Sequence, residues 1–493
     1  MHAVRIAPRY TRRSSMFVGA SALAAMLALP VAAQVAPAGP AILSSHQQLA
    51  REVYKQLVEI NSSDSVGSVT NAAEAMAARF RAAGFPAEDV HLLIPEGNPT
   101  KGNLVVRYHG KSGAASRKPI MLLAHLDVVA AKRSDWPRDP FTLYEQNGYF
   151  LGRGTADDKA MAAMFVANVL RMKAEKYESD RDIILALTAD EEGGPMNGVN
   201  WLIKTHRPLI DAAYALNEGG GGTLVGDRPL FHSLGAAEKV YIDFTLTAVN
   251  TGGHSSVPRP DNAIYELSDA LLKVANFTFP VALNDVTRPF FMEAAKVEPR
   301  GEIAAAMRAL AANPSDAAAA ATVSQDQRYA SMMRTSCVAT RLAGGHANNA
   351  LPQSATANVN CRVVPTSSTG EVMATLERVV RDTGIRITLR DTLPAKFGRA
   401  PSPADPQLLG AVTALTEKMW GKIPVIPTMS TGATDGAYLR AAGIPTYGVS
   451  GIFGQPGESN AHGRDEKLRV KSFYEGLDFL DQLVRRLTVS PRT

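Results

Sequence analysis

Pro119-Ile120-Met121-Leu122-Leu123-Ala124-His125, Asp182-Ile183-Ile184-Leu185-Ala186-Leu187-Thr188 and Ala212-Ala213-Tyr214-Ala215-Leu216-Asn217-Glu218 decide how this chain folds. Each run is short and largely apolar, the pattern of a parallel strand buried on both faces. Each also ends in, or is soon followed by, side chains able to hold a metal ion: His125, then Asp190-Glu191-Glu192, then Glu218. In open α/β sheets ligands bind beyond the carboxyl ends of the strands, so these three termini are expected to converge on one site.

Working outward, Ser45 to Gly84 reads as helical, and from Ile120 onward short apolar runs alternate with longer helical segments. That alternation predicts an α/β fold with a mainly parallel sheet flanked by helices. The order changes between about Glu238 and Phe397. Val240 to Val249 is strand-like, Asp261 to Val274 helical, Arg334 to Leu342 and Thr356 to Val364 strand-like, Thr369 to Thr383 helical and Ile385 to Arg390 strand-like. This βαββαβ order describes a small α+β unit, helices on an antiparallel sheet, inserted into the larger domain. Within it, the alanine-rich stretch Glu293 to Gln327 reads as a helical excursion without chemistry. After Pro401 the alternation returns, with Asp405 to Trp420 and Lys467 to Leu487 as helices.

The chain has 493 residues, 45% hydrophobic and 20% charged, enough to bury a sizeable core in two or three structural units. The formal charge of +5 is concentrated in Arg5, Arg9, Arg12 and Arg13, since the remainder carries 48 basic and 47 acidic residues. No block of like charge is long enough to track phosphates, so no nucleic-acid partner is expected. Those arginines precede an apolar stretch from Met16 to Leu29, the helix breaker Pro30 and the small residues Val31-Ala32-Ala33, the layout of an export signal cleaved before Gln34. The expected divisions are 1–33 as signal peptide, 34–44 as linker, 45–237 and 398–493 as two parts of one domain, and 238–397 as the inserted unit. The expected location is the periplasm or the exterior, with no membrane attachment once the signal is removed. Cys337 and Cys361 are the only cysteines and fall on two segments read as neighbouring strands. A disulfide and two buried thiols are both compatible with that placement.

The chemistry resides in scattered segments. His125-Leu126-Asp127 lies at a strand end, where residues two apart point to one side, so Asp127 is expected to hold the His125 imidazole. Gly152-Arg153-Gly154-Thr155-Ala156-Asp157-Asp158-Lys159 leads into an apolar helix from Ala160 to Met172, where the two aspartates are either helix caps or ligands. Asp190-Glu191-Glu192 crowds three acids at a strand end, which calls for a cation or a solvated loop. Asn217-Glu218 precedes a glycine run, and His462 stands in Glu458-Ser459-Asn460-Ala461-His462-Gly463-Arg464-Asp465-Glu466.

In their order and context these segments resemble the signature of the di-zinc metallopeptidase family that contains aminoacylase, carnosinase and bacterial glutamate carboxypeptidase, over about residues 45 to 490. The resemblance implies that His125 and Glu218 bind one zinc, Glu192 and His462 the second, and Asp157 both. Glu191 matches the family's general base, acting on a water shared by the metals. The same ligands also suit Mn²⁺ or Co²⁺. The family shows a cis peptide at the position of Asp157-Asp158. Thr251-Gly252-Gly253-His254-Ser255-Ser256 resembles its lid, whose histidine stabilises the oxyanion, often across a homodimer interface. Asn349 in Asn349-Ala350-Leu351-Pro352, together with Arg362, matches a substrate-binding pair, and an arginine fork suits a carboxylate. Ser430 to Gly436 resembles a further substrate loop, in which backbone N–H groups around Gly432 and Thr434 would cradle the same carboxylate.

The resemblance implies hydrolysis of a peptide or N-acyl amide bond beside a free carboxylate, of the carboxypeptidase or dipeptidase type. An N-acyl-amino-acid amidohydrolase is the alternative within the enzyme reading, and Glu218 resembles the aminoacylase and glycine-releasing carboxypeptidase branches. A metal-dependent peptide-binding protein without turnover is the alternative from another class, against which Glu191 argues. Neither a His-Glu-x-x-His helix nor a Gly-x-Ser-x-Gly turn occurs.

Overall fold

Along the strand Ile120–His125 the side chains of Ile120, Leu122 and Ala124 enter one apolar core, while Met121 and Leu123 enter another on the opposite face. The strands Ile183–Thr188 and Tyr214–Asn217 divide their side chains between the same two cores. This is the period of two of a strand covered on both sides, and each fully buried leucine or isoleucine contributes roughly 1.5–3 kcal/mol. The first core is closed by the helices Ser45–Glu59, Val69–Ala82, Lys159–Ala174 and Val470–Thr488, and the second by Gly198–Thr205 and Gly436–Ala441.

These elements belong to a computed structural model that describes residues 42–111, 117–194, 196–390 and 400–489. The expected export signal, 1–33, and most of the linker lie outside the described residues. Among those described, no helix is long and apolar enough to cross a membrane.

Among the described residues the large sheet has ten strands. Its centre is parallel: Ile183–Thr188 pairs with Ile120–His125, which pairs with Tyr214–Asn217, which pairs with Thr446–Gly448. Antiparallel strands flank this centre, among them Asn103–Tyr108 on one side and Arg228–Glu238 on the other. The parallel order brings His125, the 189–192 loop and Glu218 to the same edge, because all three follow strand carboxyl ends.

The second sheet is antiparallel, with Val240–Val249 and Ser354–Val363 inside and Ser336–Gly344 and Ile385–Leu389 at its edges. The helices Ala263–Asn276 and Thr369–Val380 cover one face around a core of its own, and the chain order is the expected βαββαβ. Cys337 and Cys361 face each other across two strands and are joined as a disulfide, which settles the alternative left open above.

The alanine-rich excursion forms four helices between Thr287 and Met333, but their core includes Leu230, Phe231 and Ile426 from the large sheet. The excursion is therefore packed on the large sheet. The apolar faces of these helices found the uncovered side of the Val425–Ser430 region, a long-range outcome that periodicity does not encode.

Candidate active site

His125 is 2% exposed, and its ring is fixed from behind. Nδ1 donates to the backbone carbonyl of Asp127 at 3.0 Å, which leaves Nε2 facing outward, 3.0 Å from Asp157 Oδ1 and 3.9 Å from Glu218 Oε1. The Asp127 carboxylate was expected to make the anchoring contact, yet it stands 3.6 Å from that nitrogen. It instead accepts the backbone N–H groups of Glu191 at 3.2 Å and Glu192 at 3.0 Å. Asp127 thus orients the histidine through its main chain and the acidic loop through its side chain.

Asp157 presents its two oxygens to two different neighbours. Oδ1 meets His125, whereas Oδ2 lies 3.1 Å from His462 Nε2, and the same nitrogen is 2.9 Å from Glu192 Oε2. The peptide bond from Asp157 to Asp158 is cis, as the resemblance implied. Asp158 occupies the cap position of the following helix but makes no capping hydrogen bond with its side chain.

Burial works to raise the Asp157 pKa, but the two histidines outweigh it and hold the carboxyl well below the usual range. Burial pushes Glu191 and Glu218 well above it, and the nearby His125 only partly counters this. His462 is raised to about 10 by Asp157 and Glu192.

The donor set fits divalent metal. Ligand atoms of His125, Asp157 and Glu192 lie within 4.8 Å of one another, as do those of His125, Glu191 and Glu218. Glu192 Oε1 is buried without a hydrogen-bond partner, an arrangement that a cation would relieve. Imidazole nitrogens with carboxylate oxygens are the ligands of zinc, manganese and cobalt sites. The glycine run after Glu218 has a packing reason: a Cβ on Gly220 would lie 2.1 Å from the Gly448 carbonyl oxygen, so only glycine lets these backbones pass.

Further residues hold the site together and escaped the sequence reading. Glu466 is 1% exposed. Its Oε1 accepts the N–H groups of Ala156 at 2.8 Å and Asp157 at 3.1 Å, and its Oε2 accepts from Gly154 N at 3.0 Å and Arg153 Nη1 at 2.7 Å. Arg153 Nη2 donates in turn to the carbonyls of His462 at 3.3 Å and Gly463 at 3.0 Å. One ion pair therefore ties the Asp157 segment to the His462 segment. On the other side, Lys101 pairs with Asp190, and buried Asp435 accepts from Thr188 at 2.9 Å and Asn197 at 2.6 Å. Burial raises Asp435 to about 6. Both Glu466 and Asp435 lay within quoted motifs, but their partners are too distant in sequence to be read there.

Glu191, Glu192, His462, Arg362, Gly432 and Thr434 line one cavity of about 680 Å³. A smaller cavity, about 320 Å³, opens on the side of Asp157 and Glu218. The Arg362 guanidinium sits over the Tyr241 ring, 4.6 Å from its centre. In the loop expected to bind substrate, the Gly432 N–H donates to Ser430 Oγ at 3.1 Å, and the Thr434 hydroxyl donates to Glu238 at 2.8 Å. His254 and Asn349 are not brought to this cavity. They lie together on the exposed pairing of Gly253–His254 with Ala350–Leu351, where Ser255 N donates to the Asn349 carbonyl at 3.1 Å and His254 Nδ1 contacts Ser256 Oγ at 2.7 Å.

A mixed α/β scaffold whose strand ends gather histidines and carboxylates around one shared aspartate is the arrangement of a metallopeptidase. A family model described as peptidase family M20/M25/M40 matches residues 121–486, and the chain belongs to that family. Among curated relatives, the probable carboxypeptidase S-like 2 of Dictyostelium discoideum is 27% identical over 400 residues, 78% of this chain and 74% of that protein. The human N-fatty-acyl-amino acid synthase/hydrolase PM20D1 is 24% identical over 385 residues, covering 75% and 74%. Among solved structures, the M20 family metallo-carboxypeptidase Sso-CP2 from Sulfolobus solfataricus superposes with a TM-score of 0.68 at 17% identity, covering 88% of this chain and 98% of that one, and supports the fold.

Proposed function

We propose that this chain hydrolyses a peptide or N-acyl amide bond adjacent to a free carboxylate, with two divalent ions, zinc by preference, held by His125, Asp157, Glu192, Glu218 and His462. The observation that carries the reading is Asp157, whose two oxygens face two separate histidine-and-carboxylate pairs. Ions bound there would supply Lewis acidity and lower the pKa of a water from 15.7 to roughly 7. Glu191, aimed by Asp127 and raised by burial, takes a proton from the attacking water and passes it to the leaving amine. Arg362 offers its fork to the substrate carboxylate.

Carboxypeptidase or dipeptidase action is the first reading. Action on N-acyl amino acids is the second, favoured by the likeness to a protein named for hydrolysing N-fatty-acyl amino acids. A mass-spectrometric screen of mixed peptides and N-acyl amino acids with metal-loaded protein tests both. Cleavage restricted to bonds beside a free carboxylate is expected, and equal cleavage of carboxyl-amidated substrates would overturn the reading.

We further infer a homodimer formed through the small sheet. Its edge strand Ser336–Gly344 leaves Val338 59% and Leu342 67% exposed, a surface that a second copy would cover. In that assembly His254 and Asn349, which lie outside their own cavity, would serve the partner's. Export to the periplasm or the medium is proposed from the first 33 residues, and the amino terminus of protein recovered outside the cytoplasm tests it.

A further inference from the structure

Lys239 immediately precedes the strand Val240–Val249, is 1% exposed and lines the same cavity as Glu191, Glu192 and His462. Its backbone N–H donates to the Ser430 carbonyl at 3.0 Å, which fixes its place at the junction of the two sheets. Its ammonium reaches Ser336 Oγ at 3.4 Å and, among the described residues, forms an ion pair with no carboxylate. The adjacent acid, Glu238, is already committed to Arg440 and Thr434.

The register sharpens this picture. Tyr241 pairs with Arg362 and Ser336 also pairs with Arg362, so Lys239, two residues before Tyr241, shares the face that carries the guanidinium. Arg362 stacks on Tyr241 and likewise has no acid partner among the described residues. Arg334 is a third cation nearby. Burial first, then Arg362 and Arg334, bring Lys239 down to about 8. A buried ammonium beside a guanidinium costs stability unless an anion compensates it, and such groups in a cavity are candidates for function. Among the described residues the acid on this wall, Glu238, is already paired with Arg440 and leaves Lys239 uncompensated.

We propose that Lys239 is a specificity-determining residue which, together with Arg362, forms a two-cation seat for the free carboxylate of the substrate and disfavours substrates capped there as amides or esters. The inference rests on the proposed hydrolysis beside a carboxylate and adds a second residue to it. The seat is also sensitive to pH. The charged groups acting on Lys239 are Arg362 and Arg334, and Glu238, Tyr241, Glu191, Glu192, Asp435, Tyr438 and His462 line the same cavity. As pH rises through about 8 the ammonium loses its proton and the seat keeps only the guanidinium charge.

The test is calorimetric titration of the metal-loaded protein with 4-methylpentanoate and with its primary amide, for wild type, Lys239→Met and Lys239→Arg. Lys239→Met is expected to weaken carboxylate binding roughly tenfold or more while leaving the amide unchanged. Wild-type affinity for the carboxylate is expected to fall between about pH 7 and about pH 9.5, whereas Lys239→Arg holds its affinity over that range. In turnover, Lys239→Met should raise KM with little change in kcat. Carboxylate binding in Lys239→Met equal to wild type overturns the role of the lysine alone. A wild type that binds carboxylate and amide equally overturns the carboxylate reading itself, and loss of both ligands in Lys239→Met marks a purely structural lysine and equally overturns the proposal.

Discussion

Asp127 and Glu191 are coupled by a single hydrogen bond from the backbone of the base to the carboxylate of the aspartate. Because Glu191 stands beside the ligand set rather than at its bridging position, Glu191→Gln is expected to keep its metal content by elemental analysis. Its kcat should fall about a hundredfold or more, the scale for losing a positioned base. Glu466 acts differently, since it touches no reacting atom but holds Gly154, Ala156 and Asp157 by their N–H groups. Replacing it with glutamine leaves Arg153 without its counter-charge and aims an amide at backbone donors. Equilibrium dialysis should then show metal affinity reduced by roughly 10–100-fold, as for other groups that orient ligands. Affinity equal to wild type would remove Glu466 from that role.

At the scale of elements, the strand Arg228–Glu238 carries His232, whose Nδ1 meets Thr416 Oγ1 at 2.8 Å and whose Nε2 donates to the Ser450 carbonyl at 2.6 Å. Burial lowers this imidazole to about 4, against an ordinary 6.5, with the Ser450 carbonyl opposing weakly. The unfolded chain therefore binds a proton that the folded chain refuses. The contribution is fully present above pH 6.5 and is lost as pH falls toward about 4, with a slope of up to ~1.4 kcal/mol per pH unit. Urea unfolding at a series of acidic pH values should show a shallower slope in His232→Gln than in wild type. The disulfide in the small sheet closes a loop with a sequence separation of 24, so its reduction should cost about 3 kcal/mol locally. Hydrogen exchange should report the loss in Ser336–Gly344 and Ser354–Val363 before the large sheet responds.

Much at this scale could be read from residues. The three apolar runs became central parallel strands because a strand buried on both faces has almost no other composition available. The βαββαβ order was likewise visible, since each segment is amphipathic over its own length. The five residues expected as ligands were picked out by their order along the chain, and the structure brings their side chains near one another. What stayed hidden depends on contacts between distant segments: the excursion helices seated on Ile426, the Arg153–Glu466 pair and the ammonium of Lys239. Main-chain groups also defeated the reading, because the carbonyl of Asp127 holds His125 and the side chain of Ser430 engages the N–H of Gly432. Residue identity does not announce which backbone atoms are already occupied.

For the molecule as a whole, the exposed edge of the small sheet predicts self-association. Leu342→Glu places a charge on that edge and is expected to convert a dimer to a monomer by light scattering. A dimer that persists in this variant would place the contact elsewhere. If His254 serves a partner's cavity, the monomer should also lose turnover while retaining metal.

His462 lies 305 positions after Asp157, and the loop that carries it is secured by Arg153, still more remote. A nascent chain halted before Ala461 would own His125, Asp157, Glu192 and Glu218 but lack the partner that completes the second pole. The proposed centre thus closes only once that distant segment folds back onto the Asp157 loop.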